Sequence, residues 1–124
     1  MKYLITESQL DNIIFKFLDN LNYEIIKKID YTPVKKIKSS VFYFSNNVNS
    51  GYADIVYHTW KGDLFITTEL CEMIVSFFSL EYVYDAEFII SDWVSKKINK
   101  EVDRRHNYKK NSFFGENTFK FGEE

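Results

Sequence analysis

One cysteine, one proline and four glycines are all that this chain of 124 residues holds of those three types, and each scarcity closes off a class of structure. Cys71 alone can form neither an intramolecular disulfide nor a cysteine-based zinc site, and it fits a reducing compartment. Gly51, Gly62, Gly115 and Gly122 are too scattered to make a glycine-rich loop that opens a helix, so a phosphate-cradling nucleotide fold is excluded. Long apolar runs are missing too. Met73 to Phe78 is among the longest, far short of the roughly 20 residues that span a bilayer. Met1 to Ile5 carries a single lysine before polar Thr6 and Glu7, which is not a signal-peptide pattern. The expected protein is soluble, with no membrane partner. A formal net charge of -2 excludes an overall electrostatic footprint for nucleic acid, so any such footprint must be local. Alanine is restricted to Ala53 and Ala86, while Ile, Asn and Lys abound; these common residues share AT-rich codons, so a low-GC genome explains the aromatic content as well as a binding surface would.

What is present suffices for one domain with a real core: 45% of residues are apolar and 19% aromatic. Thr6 and Gln9 make a reciprocal capping box, after which Leu10, Ile13, Ile14, Phe17, Leu18 and Leu21 recur on one helical face. Tyr23 to Ile29 fits either a continuation of that helix or a short strand. Pro33 marks a break and makes Thr32 extended. Ile37 to Phe44 reads as a strand, ended by the turn-prone run Ser45 to Gly51. Tyr52 to Trp60 alternates, with Ala53, Ile55 and Tyr57 on one side and Tyr52, Asp54, Val56 and His58 on the other. Lys61-Gly62-Asp63 turns the chain back into Leu64 to Thr67, the clearest hairpin present. Thr67 or Thr68 then caps a second helix with Leu70, Met73, Ile74, Phe77 and Phe78 inward, ending near Leu80. Asp85 caps a third, with Phe88, Ile89, Trp93 and Ile98 inward and Lys96, Lys97 and Lys100 complementing its C-terminal dipole. The expected fold is α+β: an N-terminal helix, a small antiparallel sheet around the hairpin at 61–63, and two further helices on one face. Residues 1–102 form this domain, and 103–124 an extended tail, basic and then rich in phenylalanine.

Candidate chemistry is sparse. Asp54, His58 and Glu69 are the first choices for metal or acid–base work. On a strand, however, a four-residue spacing separates Asp54 and His58 by about 13 Å, too far to share a metal. A nuclease of the PD-(D/E)xK type would place an acidic-x-Lys motif on the strand after Asp54, and Leu64-Phe65-Ile66-Thr67 has none. Cys71 falls in the first turn of the second helix, where the dipole can lower a thiol pKa, but no spacing pairs it with His58 or His106. A buried, inert thiol is the expectation. No catalytic residue, cofactor or metal is expected. The strongest remaining signal is Lys96 to Lys110, in which Lys96, Lys97, Lys100, Arg104, Arg105, Lys109 and Lys110 interleave with His106 and Tyr108. It passes into Phe113, Phe114, Phe119 and Phe121, more phenylalanine than a free polar tail needs, so the tail is expected to dock on its own domain or on a neighbour.

The opening Ile5-Thr6-Glu7-Ser8-Gln9-Leu10, followed by an amphipathic helix, resembles the start of small uncharacterised proteins of marine tailed bacteriophages. The block from Ser76-Phe77-Phe78-Ser79-Leu80 to Trp93-Val94 is similar to a segment of some of the same proteins. The resemblance implies a phage origin and brings no catalytic motif; it places the protein in the infected host cytoplasm or in the virion. The expected role is a non-enzymatic structural or protein–protein interaction protein, such as a minor virion component, that docks on a protein partner or self-associates. Phe113, Phe114, Phe119 and Phe121 would be its anchors, with Arg104, Arg105, Lys109 and Lys110 steering encounter. The alternative is a nucleic-acid-binding accessory protein that neutralises phosphates through residues 96–110 and stacks a base on Tyr108.

Overall fold

The computed structural model describes residues 7–35 and 37–121. Five strands follow one another across a single sheet in chain order: β1 (Glu24–Val34), β2 (Ile37–Ser45), β3 (Ile55–His58), β4 (Asp63–Thr67) and β5 (Arg104–Tyr108). The first four make an antiparallel meander. β5 instead runs parallel to β4, from Asp63 opposite Arg104 to Thr67 opposite Tyr108. Helices α2 (Thr68–Phe78) and α3 (Val83–Ile98) lie between these two strands in the chain. They form the crossover that a parallel neighbour requires. The expected antiparallel sheet is therefore corrected to a mixed one.

The expected tail is corrected as well. Arg104 to Tyr108 is the fifth strand rather than extended chain, and Phe113–Phe119 forms a last helix, α4, capped by the Ser112 hydroxyl, which accepts from the Gly115 N–H. The segment lacked a visible period because five residues of strand and seven of helix are each too short to display one.

Tyr23 to Ile29, open between helix and strand, enters β1 at Glu24. Pro33 lies within this strand, which is possible because β1 is an edge with β2 as its neighbour. The break it was expected to cause is a shift in register between Tyr31 and Val34. The hairpin at 61–63 forms as read, with Gly62 at φ 68°. Its carbonyl also accepts from the N–H groups of Asp103 and Arg104 at 2.8 and 3.2 Å, which ties the hairpin to the start of β5. The positive φ demands glycine here, and a Cβ would in addition crowd the Asp103 backbone nitrogen at 3.0 Å.

The N-terminal helix α1 (Glu7–Asn20) packs with α2 and α3 on one face of the sheet. The capping residue Thr6 lies outside the described residues. Ile14, Leu18, Leu70, Cys71, Ile74, Ile90, Trp93 and Val94 meet Phe44, Ile55, Tyr57, Leu64 and Ile66 in this main core. Thr67 caps α2 by accepting from the Leu70 N–H. α3 starts earlier than expected: Tyr82 is its N-cap, and Asp85, three residues on, accepts the Tyr82 N–H at 3.1 Å. The expected inward residues Leu10, Ile14, Phe17, Leu18, Leu21, Leu70, Ile74, Phe78, Ile89, Trp93 and Ile98 lie in or against the main core, and the stripes differ from the reading at a few positions only. Ile13, Met73, Phe77 and Phe88 are exposed, while Cys71 and Ile90 are fully buried. An apolar stripe is wider than the contact it makes, so the residues at its margin stay outside.

The opposite face of the sheet carries a smaller core of Val41, Ala53, Val56 and Phe119, covered by α4. Ala53 was expected on the side of Ile55 and Tyr57. It lies on the other side because β3 begins only at Ile55, so strand alternation does not reach it.

Candidate functional site

Alternation along β5 divides the expected binding residues between the two faces of the sheet. On the helical side, the Arg105 guanidinium lies 3.9 Å from the centroid of the Phe88 ring, and Asn107 bonds Glu87 and accepts from the Thr68 hydroxyl. On the α4 side lie Arg104, His106 and Tyr108. His106 stacks on Phe65 of β4 with centroids 4.8 Å apart, and Tyr108 stacks on the same ring at 6.0 Å. Tyr108 in turn stacks at 5.5 Å on Phe114, which meets Phe113 edge-on at 5.6 Å. An aromatic row thus runs from the sheet onto the first turn of α4.

The four phenylalanines expected as anchors separate into two pairs. Phe119 is fully buried, and Phe121 packs toward Tyr43. The Phe121 backbone is held at both ends: its N–H donates to the Gly51 carbonyl at 2.8 Å and its carbonyl accepts from Lys27 Nζ at 3.1 Å. These two dock the segment on its own sheet. Phe113 and Phe114 remain 78% and 62% exposed, the former more than any other large apolar side chain among the described residues.

The basic residues are dispersed rather than pooled. Arg104 Nε lies 2.9 Å from Asp63 Oδ1, which His106 Nε2 also approaches at 3.3 Å. Lys96 lies over the Phe15 ring, and Lys97 pairs with Asp19 at 2.8 Å. Lys110 Nζ pairs with Asp54 Oδ1 at 2.8 Å, and the Lys110 N–H donates to both Glu69 carboxylate oxygens at 3.1 and 3.2 Å. Lys109 is exposed. Residues 96–110 therefore present no continuous basic face.

Of the three residues first considered for chemistry, Asp54 and Glu69 converge on Lys110, and His58 stands apart. The sequence carries no sign of this convergence, because positions 54, 69 and 110 meet only through the β4–β5 crossover. Burial, and after it the Asp54 carboxylate that hydrogen-bonds it, raises the Tyr23 hydroxyl well above its ordinary pKa. The arrangement is a latch that holds the β5–α4 link against the rest of the chain. His58 meets Phe65 edge-on at 5.2 Å; burial pushes its pKa down, partly opposed by Asp63. Among the described residues no three His, Cys, Asp or Glu side chains are grouped to hold a metal ion. Cys71 is fully buried, and that burial, helped by Glu87 and Glu72, pushes its thiol up to about 12, the reverse of an activated nucleophile. No described helix is long and apolar enough to cross a membrane.

Comparison with protein-family models, with curated proteins and with solved structures gives no match to this chain.

Proposed function

We propose that this chain is a non-enzymatic interaction protein that docks on a protein partner, or on a copy of itself, through the aromatic ridge of β5 and α4. The observation that carries the reading is the exposure of Phe113 and Phe114 on a helix whose other end is anchored by fully buried Phe119. Large apolar side chains on a rigid support suit binding, because little conformational entropy is left to lose and much apolar area is left to bury. The resemblance carried by Ile5–Leu10 and Ser76–Val94 supports a bacteriophage origin, and with it a structural part such as a minor virion component. Arg104, Arg105 and Lys110 each engage a partner within the chain, so Lys109 is the cation best placed to steer encounter.

Replacing Phe113 and Phe114 together by serine tests the reading. Each is exposed, so the fold should survive, and partner or self-association should weaken by about a hundredfold, as expected for two anchors worth about 1.4 kcal/mol each. Size-exclusion chromatography with light scattering at low and high salt measures it, and association unchanged by the double substitution would remove the proposal.

A second reading, nucleic-acid binding, draws on the outer end of the stacked row, where Phe114 is 62% exposed and extends the Tyr108 stack toward solvent for a base. Absorbance at 260 nm that high salt strips from the full chain would favour it, since phosphate contacts weaken steeply with salt and apolar anchoring does not.

A further inference from the structure

On the helical side of the molecule, away from the ridge, a groove of about 550 Å³ lies between α1, the α2–α3 turn and the first turns of α3. Its character comes from two groups of side chains. Tyr84 and Phe88 line it and meet edge-on at 6.3 Å, while Tyr82, outside the lining, stacks on Tyr84 with centroids 5.3 Å apart and rings within 10° of parallel. All three are about half exposed, at 53%, 48% and 49%. Beside Tyr84 and Phe88 stand four carboxylates, Asp11, Glu81, Asp85 and Asp92; no described lining residue is cationic, and the Arg105 guanidinium, outside the lining, rests against the Phe88 ring. The chain also demonstrates what such a ring accepts: Arg105 lays its guanidinium 3.9 Å from the Phe88 centroid.

We propose that this groove binds an arginine-bearing segment of a partner polypeptide. Guanidinium is the fitting head group. Its flat face stacks on an aromatic ring while its edge donates to carboxylates, whereas an ammonium offers a point charge and stays more strongly hydrated. The apolar floor, which includes Leu10 and Ile89, takes the arginine stem or an adjacent apolar side chain. Phosphate-bearing ligands are repelled by the same four carboxylates, which separates this surface from any nucleic-acid contact on the opposite face. The packing of α3 leaves this face unfilled: Phe88, expected inward, is 48% exposed, while Ile90 is fully buried.

The test uses the full chain and three fluorescent peptides of one length, alternating leucine with arginine, lysine or glutamate, read by anisotropy. The arginine peptide should bind most tightly, the lysine peptide more weakly and the glutamate peptide not at all. Tyr84→Ser and Asp92→Lys, both at exposed positions, should each weaken arginine-peptide binding by about tenfold, the equivalent of one lost cation–π contact or one lost charge pair made repulsive. The double serine variant at Phe113 and Phe114 should bind this peptide unchanged, so the groove and the ridge fail separately. Equal binding of arginine and glutamate peptides, or binding lost with the ridge variant and kept with the groove variants, would overturn the proposal. So would concentration-dependent self-association that Asp92→Lys abolishes while peptide binding stays unaltered, because the occupant would then be a second copy.

Discussion

At the scale of single residues, the sharpest result is how differently similar side chains are used. Asp19, near the end of α1, accepts from Lys97 Nζ at 2.8 Å and Trp93 Nε1 at 3.0 Å, and the Lys97 bond first, then the Trp93 bond, holds its carboxyl below the usual range. A carboxylate lowered on folding adds stability above its unfolded pKa, and loses it as pH falls through the folded value. Asp19→Asn should therefore cost about 1 kcal/mol at neutral pH, kept small by the half-exposed position, and the gap to the parent should close below about pH 4. Urea unfolding of both chains from pH 7 to pH 3 measures it; a gap that is constant with pH would contradict the assignment. The partners themselves are 74 and 78 positions away, so nothing in the local sequence around Asp19 announces them.

At the scale of elements, the reach of local signals is visible in what each segment needed. α2 was legible because Thr67, the cap, and the stripe behind it are neighbours in sequence. The hairpin was legible because Gly62 alone supplies the positive φ its turn uses. α4 was not, being seven residues long and held largely by contacts made elsewhere. Gly115 shows how tight that placement is: a Cβ there would fall 1.8 Å from the Lys109 carbonyl oxygen, a backbone atom that cannot swing aside. Gly115→Ala should displace α4 and destabilise the chain by about 1 to 3 kcal/mol, the usual cost of overpacking. It should weaken ridge-dependent association as well, although neither Phe113 nor Phe114 is altered. Denaturant unfolding reads the first effect and light scattering the second; a chain of parental stability would show that the turn at 109–112 yields freely.

At the scale of the whole molecule, the last strand and helix belong to the fold before they belong to any partner. Ending the chain at Val102 removes β5, leaving β4 as an uncovered edge, together with Phe119, the lid over Val41, Ala53 and Val56. Such a chain should aggregate rather than merely lose a partner. A chain ending at Lys110 keeps all five strands and should fold with a stability lower by about 3 to 5 kcal/mol, the usual cost of removing one fully buried phenylalanine. Soluble yield and urea unfolding separate the two; a stable, monodisperse chain ending at Val102 would mean that β5 contributes little. The amino-acid sequence by itself determined the α+β composition, the hairpin, the three long helices and the solitary, inert thiol, because capping, turn chemistry and apolar period act over a few neighbouring residues. Only the tertiary structure decided which members of each helical stripe stay outside, that β5 lies parallel to β4, and that Asp54, Glu69 and Lys110 meet. It alone left Phe113 and Phe114 outside while burying Phe119, and left Tyr84 and Phe88 facing an acidic groove. Each of those outcomes is a competition among apolar or charged groups of similar local merit, and only contacts between distant segments can break the tie.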